Sequence, residues 1–257
     1  MLLIIFIFGC AIGSFLNCVI YRMESKKSFA KGRSFCPKCK HVLAWYDLIP
    51  IFSFLFLRGK CHYCKKKISW QYPAVEIATG ILFAAIMNYE LGIRNYEWWS
   101  SVFIFNSLFL ILNSCFLILI FIYDLKHYII PDKLVFPAIG IALFFNIFSG
   151  FFLNSLIAGL VASGFFFLIW LVSRGRWLGF GDVKLALLMG LLLSWPNILV
   201  ALFFAFVLGA TIGLILIAFQ KKTMKSQVPF GPFLIIGTFI GLFWGQNIIN
   251  WYLNLIL

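Results

Sequence analysis

Long apolar runs broken by short polar stretches account for most of this chain. Met1 to Tyr21 is almost purely apolar and ends at Arg22, and further runs cover roughly 73–91, 100–123, 134–150, 152–173, 182–194, 197–219 and 229–247. A helix needs about 20 residues to cross a hydrocarbon core. The pattern therefore predicts an all-α, polytopic membrane protein with about eight transmembrane helices, the first over 1–21. No basic residue precedes that first run and no small-residue cleavage pattern closes it, so it reads as a span and not as a removed signal peptide. Glycines at four-residue spacing, Gly9 and Gly13, Gly209 and Gly213, and Gly237, Gly241 and Gly245, predict close helix packing.

Composition agrees with the pattern. Of 257 residues 63% are hydrophobic and 11% charged, which excludes a water-soluble monomer. The net charge of +13 would suggest nucleic acid in a soluble domain, but in a membrane protein basic residues mark cytoplasmic loops. No nucleic-acid partner is expected, and the lipid bilayer is. More than half of all Lys and Arg lie in 22–72, including Lys26, Lys27, Lys31, Arg58 and Lys60, so this loop is placed in the cytoplasm. Lys126 and Lys133, Arg174, Arg176 and Lys184, and Lys221, Lys222 and Lys225 then fall on the same side. The opposite turns carry Glu90, Arg94 and Glu97, then 150–154 and 194–197, with one basic residue among them. Both termini are accordingly expected outside.

Within the basic loop, Cys36-Pro37-Lys38-Cys39 is followed after 21 residues by Cys61-His62-Tyr63-Cys64. Two such knuckles suit a tetrahedral zinc ion, each turn presenting two thiolates. Two disulfides are the alternative, disfavoured in a reducing compartment, and free or redox-active thiols are a third. Four protein ligands close the coordination sphere, so the metal would be structural and not hydrolytic. His41 and His62 adjoin the knuckles and read as solvated side chains. Cys10, Cys18 and Cys115 lie in apolar runs and read as small hydrophobes.

With only eight acidic residues, position is informative. Asp124 follows the third run in Phe121-Ile122-Tyr123-Asp124-Leu125, and Asp182 sits in Gly179-Phe180-Gly181-Asp182-Val183-Lys184 at the head of the sixth. Both belong to the cytoplasmic border, where a carboxylate is costly unless it faces protein, water or a counter-ion. If the two share one site, repulsion leaves one acid beside one base, the arrangement an aspartic protease needs. The structural alternative is that Asp124 caps its helix or pairs with Lys126, while Asp182 caps its own and pairs with Lys184. Asp132, after Ile130-Pro131, reads as a helix start.

These segments resemble those of the prepilin peptidase family, the type IV leader peptidases, which are membrane aspartic proteases of the Gly-x-Gly-Asp class. The resemblance runs in order through residues 13–22, the paired knuckles, Tyr72-Pro73-Ala74-Val75-Glu76, Asp124 with Ile130-Pro131-Asp132, 179–185, and Pro229-Phe230-Gly231-Pro232-Phe233. It implies an endopeptidase of the bacterial cytoplasmic (inner) membrane that removes the basic leader of type IV prepilins or pseudopilins after a glycine, with Asp124 and Asp182 as the catalytic pair. It also implies N-methylation of the new N-terminus with S-adenosylmethionine, to which no residue is assigned; Glu76 reads equally as a helix-terminal acid. The organisation expected is a first helix over 1–21, a cytoplasmic zinc-binding domain over 22–72 and a peptidase core over 73–257. Two other readings use the same residues: a zinc-stabilised transporter coupling ions through the border aspartates, and a scaffold in which they only cap helices.

Overall fold

A computed structural model of the protein describes residues 1–25, 32–94, 101–150, 152–219 and 228–256. Lys26, Lys27, Lys31, Glu97, Lys221, Lys222 and Lys225, which help to orient the chain above, lie outside the described residues. Among those described, regular structure is almost wholly helical: α1 (Leu2–Glu24), α2 (Phe52–Phe56), α3 (Gln71–Arg94), α4 (Ser101–His127), α5 (Asp132–Ser149), α6 (Phe152–Ser173), α7 (Phe180–Leu193), α8 (Asn197–Ala218) and α9 (Gly231–Ile256). A 3-10 turn at Trp45–Leu48 and two isolated antiparallel bridges, Phe35 with Val42 and Lys60 with Lys67, complete it. The protein is all-α, as lipid demands of a spanning chain, because a helix satisfies its backbone hydrogen bonds within one segment.

Seven helices, α1, α3, α4, α5, α6, α8 and α9, are long and apolar enough to cross a membrane. Large apolar side chains such as Phe8, Leu160, Phe203 and Leu214 are exposed on them, as expected of surfaces that face lipid. The remaining apolar run, 182–194, forms α7, a helix of 14 residues. At about 1.5 Å per residue it rises only about 21 Å, against a hydrocarbon core of about 30 Å. Its surroundings explain its length: α7 packs against α5, α6, α8 and α9, with Leu185, Ala186, Leu188 and Met189 fully buried. A helix sheathed by protein need not match the thickness of lipid.

The chain divides into two compact units, Met1–Cys115 and Phe116–Leu257. In the first, α1 lies against α3 through small residues. A Cβ on Gly9 would stand 2.8 Å from the Cα of Gly80, and one on Gly13 would stand 2.8 Å from the Cα of Glu76. In the second unit α9 meets α8 at Gly237, where a Cβ would come 2.3 Å from the carbonyl oxygen of Ala201. The tightest approach between α6 and α7 is at Gly159 and Gly190, which share no short-range spacing; a Cβ on Gly190 would lie 2.3 Å from the Cα of Gly159. Gly213, by contrast, has nothing within 4 Å, and Gly209 faces the rings of Phe230 and Phe233. Their four-residue spacing therefore marks no contact between helix backbones. A buried polar link adds specificity, with the Asn146 side-chain amide donating to the Leu191 carbonyl at 2.9 Å and the Ser155 hydroxyl to Asn146 Oδ1 at 3.1 Å.

Candidate active site and metal-binding loop

Asp124 occupies the last turn of α4. That helix ends because Tyr128 turns left-handed at φ 57°, its amide donating to the Asp124 carbonyl at 2.8 Å. The chain then folds Ile130 inward, and Pro131 precedes α5, its carbonyl accepting from the amides of Leu134 and Val135. The Asp124 carboxylate is 4% exposed and accepts the amide of Gly231, the first residue of α9. First-turn amides have no partner within their own helix, so a carboxylate there satisfies one and meets the positive end of the helix dipole.

Asp182 uses the same device on α7. It is the third residue of that helix, 8% exposed, and its Oδ2 accepts the amide of Gly179 at 3.1 Å while its own amide donates back to the Gly179 carbonyl at 3.1 Å. The two aspartates are near enough for the charge of Asp124 to act on Asp182. Ile130 fills the space beside them. A Cβ on Gly181 would lie 2.8 Å from the Cβ of Ile130, and one on Gly231 would lie 2.5 Å from Asp124 Oδ2 and 3.2 Å from the Ile130 Cδ1. Both glycines are thus required by close approach, at the residue before one carboxylate and in contact with the other.

Lys184 does not pair with Asp182. Its ammonium bonds Asp132 at 2.6 Å and stands 5.1 Å from the ring centres of Phe136 and Phe180. Asp132 is both the first residue of α5, as its place after proline predicts, and the partner that ties the start of α5 to the start of α7. Ile130 and Gly231 were legible only as parts of motifs; nothing in their spacing says that they enclose a carboxylate.

In the first unit the two Cys-x-x-Cys turns adopt one local form. The Cys36 amide donates to the His41 carbonyl and the Lys40 amide to the Cys36 carbonyl; the Cys61 amide donates to the Lys66 carbonyl and the Lys65 amide to the Cys61 carbonyl. Lys40 and Lys65 are left-handed at φ 59° and 55°. The thiols of Cys36, Cys39, Cys61 and Cys64 all lie within 4.8 Å of one another and are free of disulfides. A zinc ion bonded to four thiolates at about 2.3 Å spaces its sulfurs about 3.8 Å apart, so the cluster needs only a small contraction to hold one ion. Burial opposes ionisation of Cys36, but the amides of Cys39 and Lys38 and the thiols of Cys39 and Cys61 outweigh it and bring Cys36 from 9.0 down to about 7. Neither histidine joins the cluster. His62 Nδ1 contacts Asp47 Oδ1 at 3.3 Å and His41 lies tilted against Tyr63 with ring centres 3.7 Å apart. Asp47 also accepts the Tyr63 hydroxyl and the Ala44 amide, both at 3.1 Å, and so braces the second knuckle.

Beside the knuckles a cavity of about 500 Å³ is bounded by residues of α1, the loop and the start of α3, among them Asn17, Arg22, Tyr72 and Glu76. That volume lies within the range of pockets for small ligands. Glu76 lies one turn inside α3, buried, accepting the Ile51 amide at 2.7 Å. It is not merely a helix-terminal acid. Asn17 donates to the Tyr72 carbonyl at 3.1 Å and Arg22 to the Gly32 carbonyl at 2.7 Å, so the polar wall is built from buried, hydrogen-bonded groups.

Residues 7–89 match the bacterial peptidase A24 N-terminal domain, and residues 111–214 match the type IV leader peptidase family. Similar along nearly their whole length are three proteins called prepilin leader peptidase/N-methyltransferase. The one from Legionella pneumophila is 32% identical over 99% of this chain and 95% of its own, and that from Bacillus subtilis (strain 168) 33% over 100% of both. The one from Aeromonas hydrophila is 30% identical over 98% of this chain and 93% of its own. No solved structure matches the chain significantly.

Proposed function

The chain belongs to the type IV leader peptidase family, and from that membership we propose that it is a membrane aspartic endopeptidase that cleaves the basic leader from type IV prepilins or pseudopilins after a glycine. The observation that carries this reading is the pair of buried carboxylates, Asp124 and Asp182, each seated on a helix N-terminus, with the charge of Asp124 reaching Asp182. Working as an aspartic-protease pair, the two would share one proton. The ionised member takes a proton from water as the water oxygen attacks the scissile carbonyl carbon. The protonated member gives its proton to the leaving nitrogen, which departs as the new N-terminal amine.

The same reading puts the loop of 32–70 and both aspartates on the cytoplasmic side of a bacterial inner membrane, with both termini on the opposite side, the short, protein-sheathed α7 serving as an eighth crossing beside the seven long helices. The described basic residues Arg58, Lys60, Lys65, Lys66, Lys126, Lys133, Arg174, Arg176 and Lys184 support that orientation. A prepilin spans the membrane as an apolar helix with its leader inside, so its scissile bond meets the aspartates at their own depth. The four thiols would hold a structural zinc ion, Cys36, Cys39, Cys61 and Cys64 filling its coordination and leaving no place for water.

The second activity is N-methylation of the new amine. S-adenosylmethionine, when bound, supplies an electrophilic methyl group on a cationic sulfur. The cavity beside the knuckles has the volume for such a ligand, and the buried carboxylate of Glu76 offers the negative charge that a cationic donor needs. Asn17 and Tyr72 would help to orient it.

The test is cleavage of a prepilin with a Gly-Phe junction by purified protein in detergent, with and without S-adenosylmethionine, followed by mass spectrometry. Wild type should release the leader and, with the donor present, add one methyl mass. Asp124→Asn and Asp182→Asn should fold and bind metal yet release no leader. Normal processing by either variant would overturn the assignment of the pair.

A further inference from the structure

The loop between α1 and α3 carries a second concave feature, on its surface, that the thiols do not use and that shares with the polar cavity only Phe54, Lys67 and Ile68, while Leu55, Arg58, Gly59, Lys60 and Trp70 are its own. It is a groove of about 490 Å³ whose apolar wall includes Phe54, Leu55 and Trp70 and whose edge carries Arg58, Lys60 and Lys67. The apolar wall faces outward: Trp70 is 75% and Leu55 61% exposed, with the Trp70 indole held edge-on against the Phe54 ring at 4.9 Å. All three cations are exposed, and no acidic residue occurs between Asp47 and Glu76.

The place of the groove in the chain sets its depth. Trp70 immediately precedes Gln71–Gly92, one of the helices able to cross the membrane. An indole at such a boundary sits among lipid headgroups, where its apolar body and its N–H are both satisfied. At that depth, an apolar channel edged by three cations is complementary to a molecule that joins a phosphate to an acyl chain.

We propose that this groove binds an anionic phospholipid of the adjoining leaflet, its phosphate against Arg58, Lys60 and Lys67 and its acyl chain along Leu55 and Trp70. Charge excludes the rival occupants. A basic prepilin leader would be repelled by the three cations, and a zwitterionic lipid brings no net charge to neutralise them. The bound lipid would fix the loop at the membrane surface and so hold the knuckles and the cavity at a constant depth.

The test is native mass spectrometry of the purified full-length protein in detergent, titrated with phosphatidylglycerol or with phosphatidylcholine of the same acyl chains. Wild type should bind phosphatidylglycerol at least tenfold more tightly. The triple variant Arg58→Gln, Lys60→Gln, Lys67→Gln should lose that preference, since each cation in contact with the bound phosphate would contribute about fivefold. A control with the same loss of charge, Lys221→Gln, Lys222→Gln, Lys225→Gln, should keep it. Metal content of the four-thiol site reports that the loop is folded; if the triple variant loses metal, Arg58→Gln alone takes its place, with an expected loss of about fivefold. Equal affinity of wild type for the two lipids would overturn the proposal. So would a preference that survives in the metal-loaded groove variant, a loss as large in the control, or displacement of the lipid by a basic leader peptide. No substrate is needed for this readout, so it stands or falls separately from the peptidase assignment.

Discussion

Replacing Gly231 by alanine tests whether Asp124 belongs to the reaction centre. The new Cβ would stand 2.5 Å from Asp124 Oδ2, about 0.9 Å short of the 3.4 Å at which ordinary contact begins, and 3.2 Å from the Ile130 Cδ1. Ile130 is itself packed so closely on Gly181 that a Cβ there would lie 2.8 Å from the Ile130 Cβ, so the movement falls on the carboxylate. A displacement approaching 1 Å at reacting groups costs about 10²-fold in rate, or about 2.7 kcal/mol of barrier. The backbone offers no competing explanation. Gly231 opens α9 without a left-handed φ, alanine is the better helix former, and the amide that Asp124 accepts is retained. The assay is the initial rate of leader release at saturating prepilin, beside a thermal melt in the same detergent. Gly213→Ala is the control: with nothing within 4 Å it should cleave at the wild-type rate and melt no lower. Full activity in Gly231→Ala would refute the reasoning, and so would equal slowing of both variants, which would trace the loss to helical glycine in general and not to Asp124.

Gly190→Ala should unfold the second unit more easily, because its Cβ would meet the Gly159 backbone at 2.3 Å and overpacking costs about 1–3 kcal/mol. Gly164→Ala, with open space around it, should melt like wild type, and identical melting of the two would contradict the α6–α7 contact. Removing the metal with a chelator should release one zinc per chain and open the loop of 32–70 to trypsin at its many lysines and arginines, since two short knuckles bring little apolar core of their own. A protein that carries no metal as purified, or a loop equally resistant after chelation, would count against a structural zinc ion.

What was legible in the sequence is what neighbours along the chain dictate. An apolar run of about 20 residues becomes a helix because lipid leaves the backbone no partner but itself, and this holds whatever the run packs against. The knuckles are equally local: each Cys-x-x-Cys turn closes through bonds between residues five or fewer apart, so the same form arises at 36–41 and again at 61–66. Positions 124 and 182 stand out in the sequence because a carboxylate beside an apolar run is costly wherever the helix ends up. Four-residue spacing marks no backbone contact at Gly213, which faces open space, or at Gly209, which meets the rings of Phe230 and Phe233, and it is absent at Gly159 and Gly190, where two helix backbones touch. The tertiary structure alone decided that Lys184 takes Asp132, 52 residues away, over the aspartate two residues away. It also set Gly231 against Asp124, turned Glu76 into the wall of a cavity, and enclosed a 14-residue helix so that it escapes the length lipid would demand. Each of these depends on which distant surfaces come to face one another, and packing is chosen by the shape of the whole bundle, which no window along the chain contains.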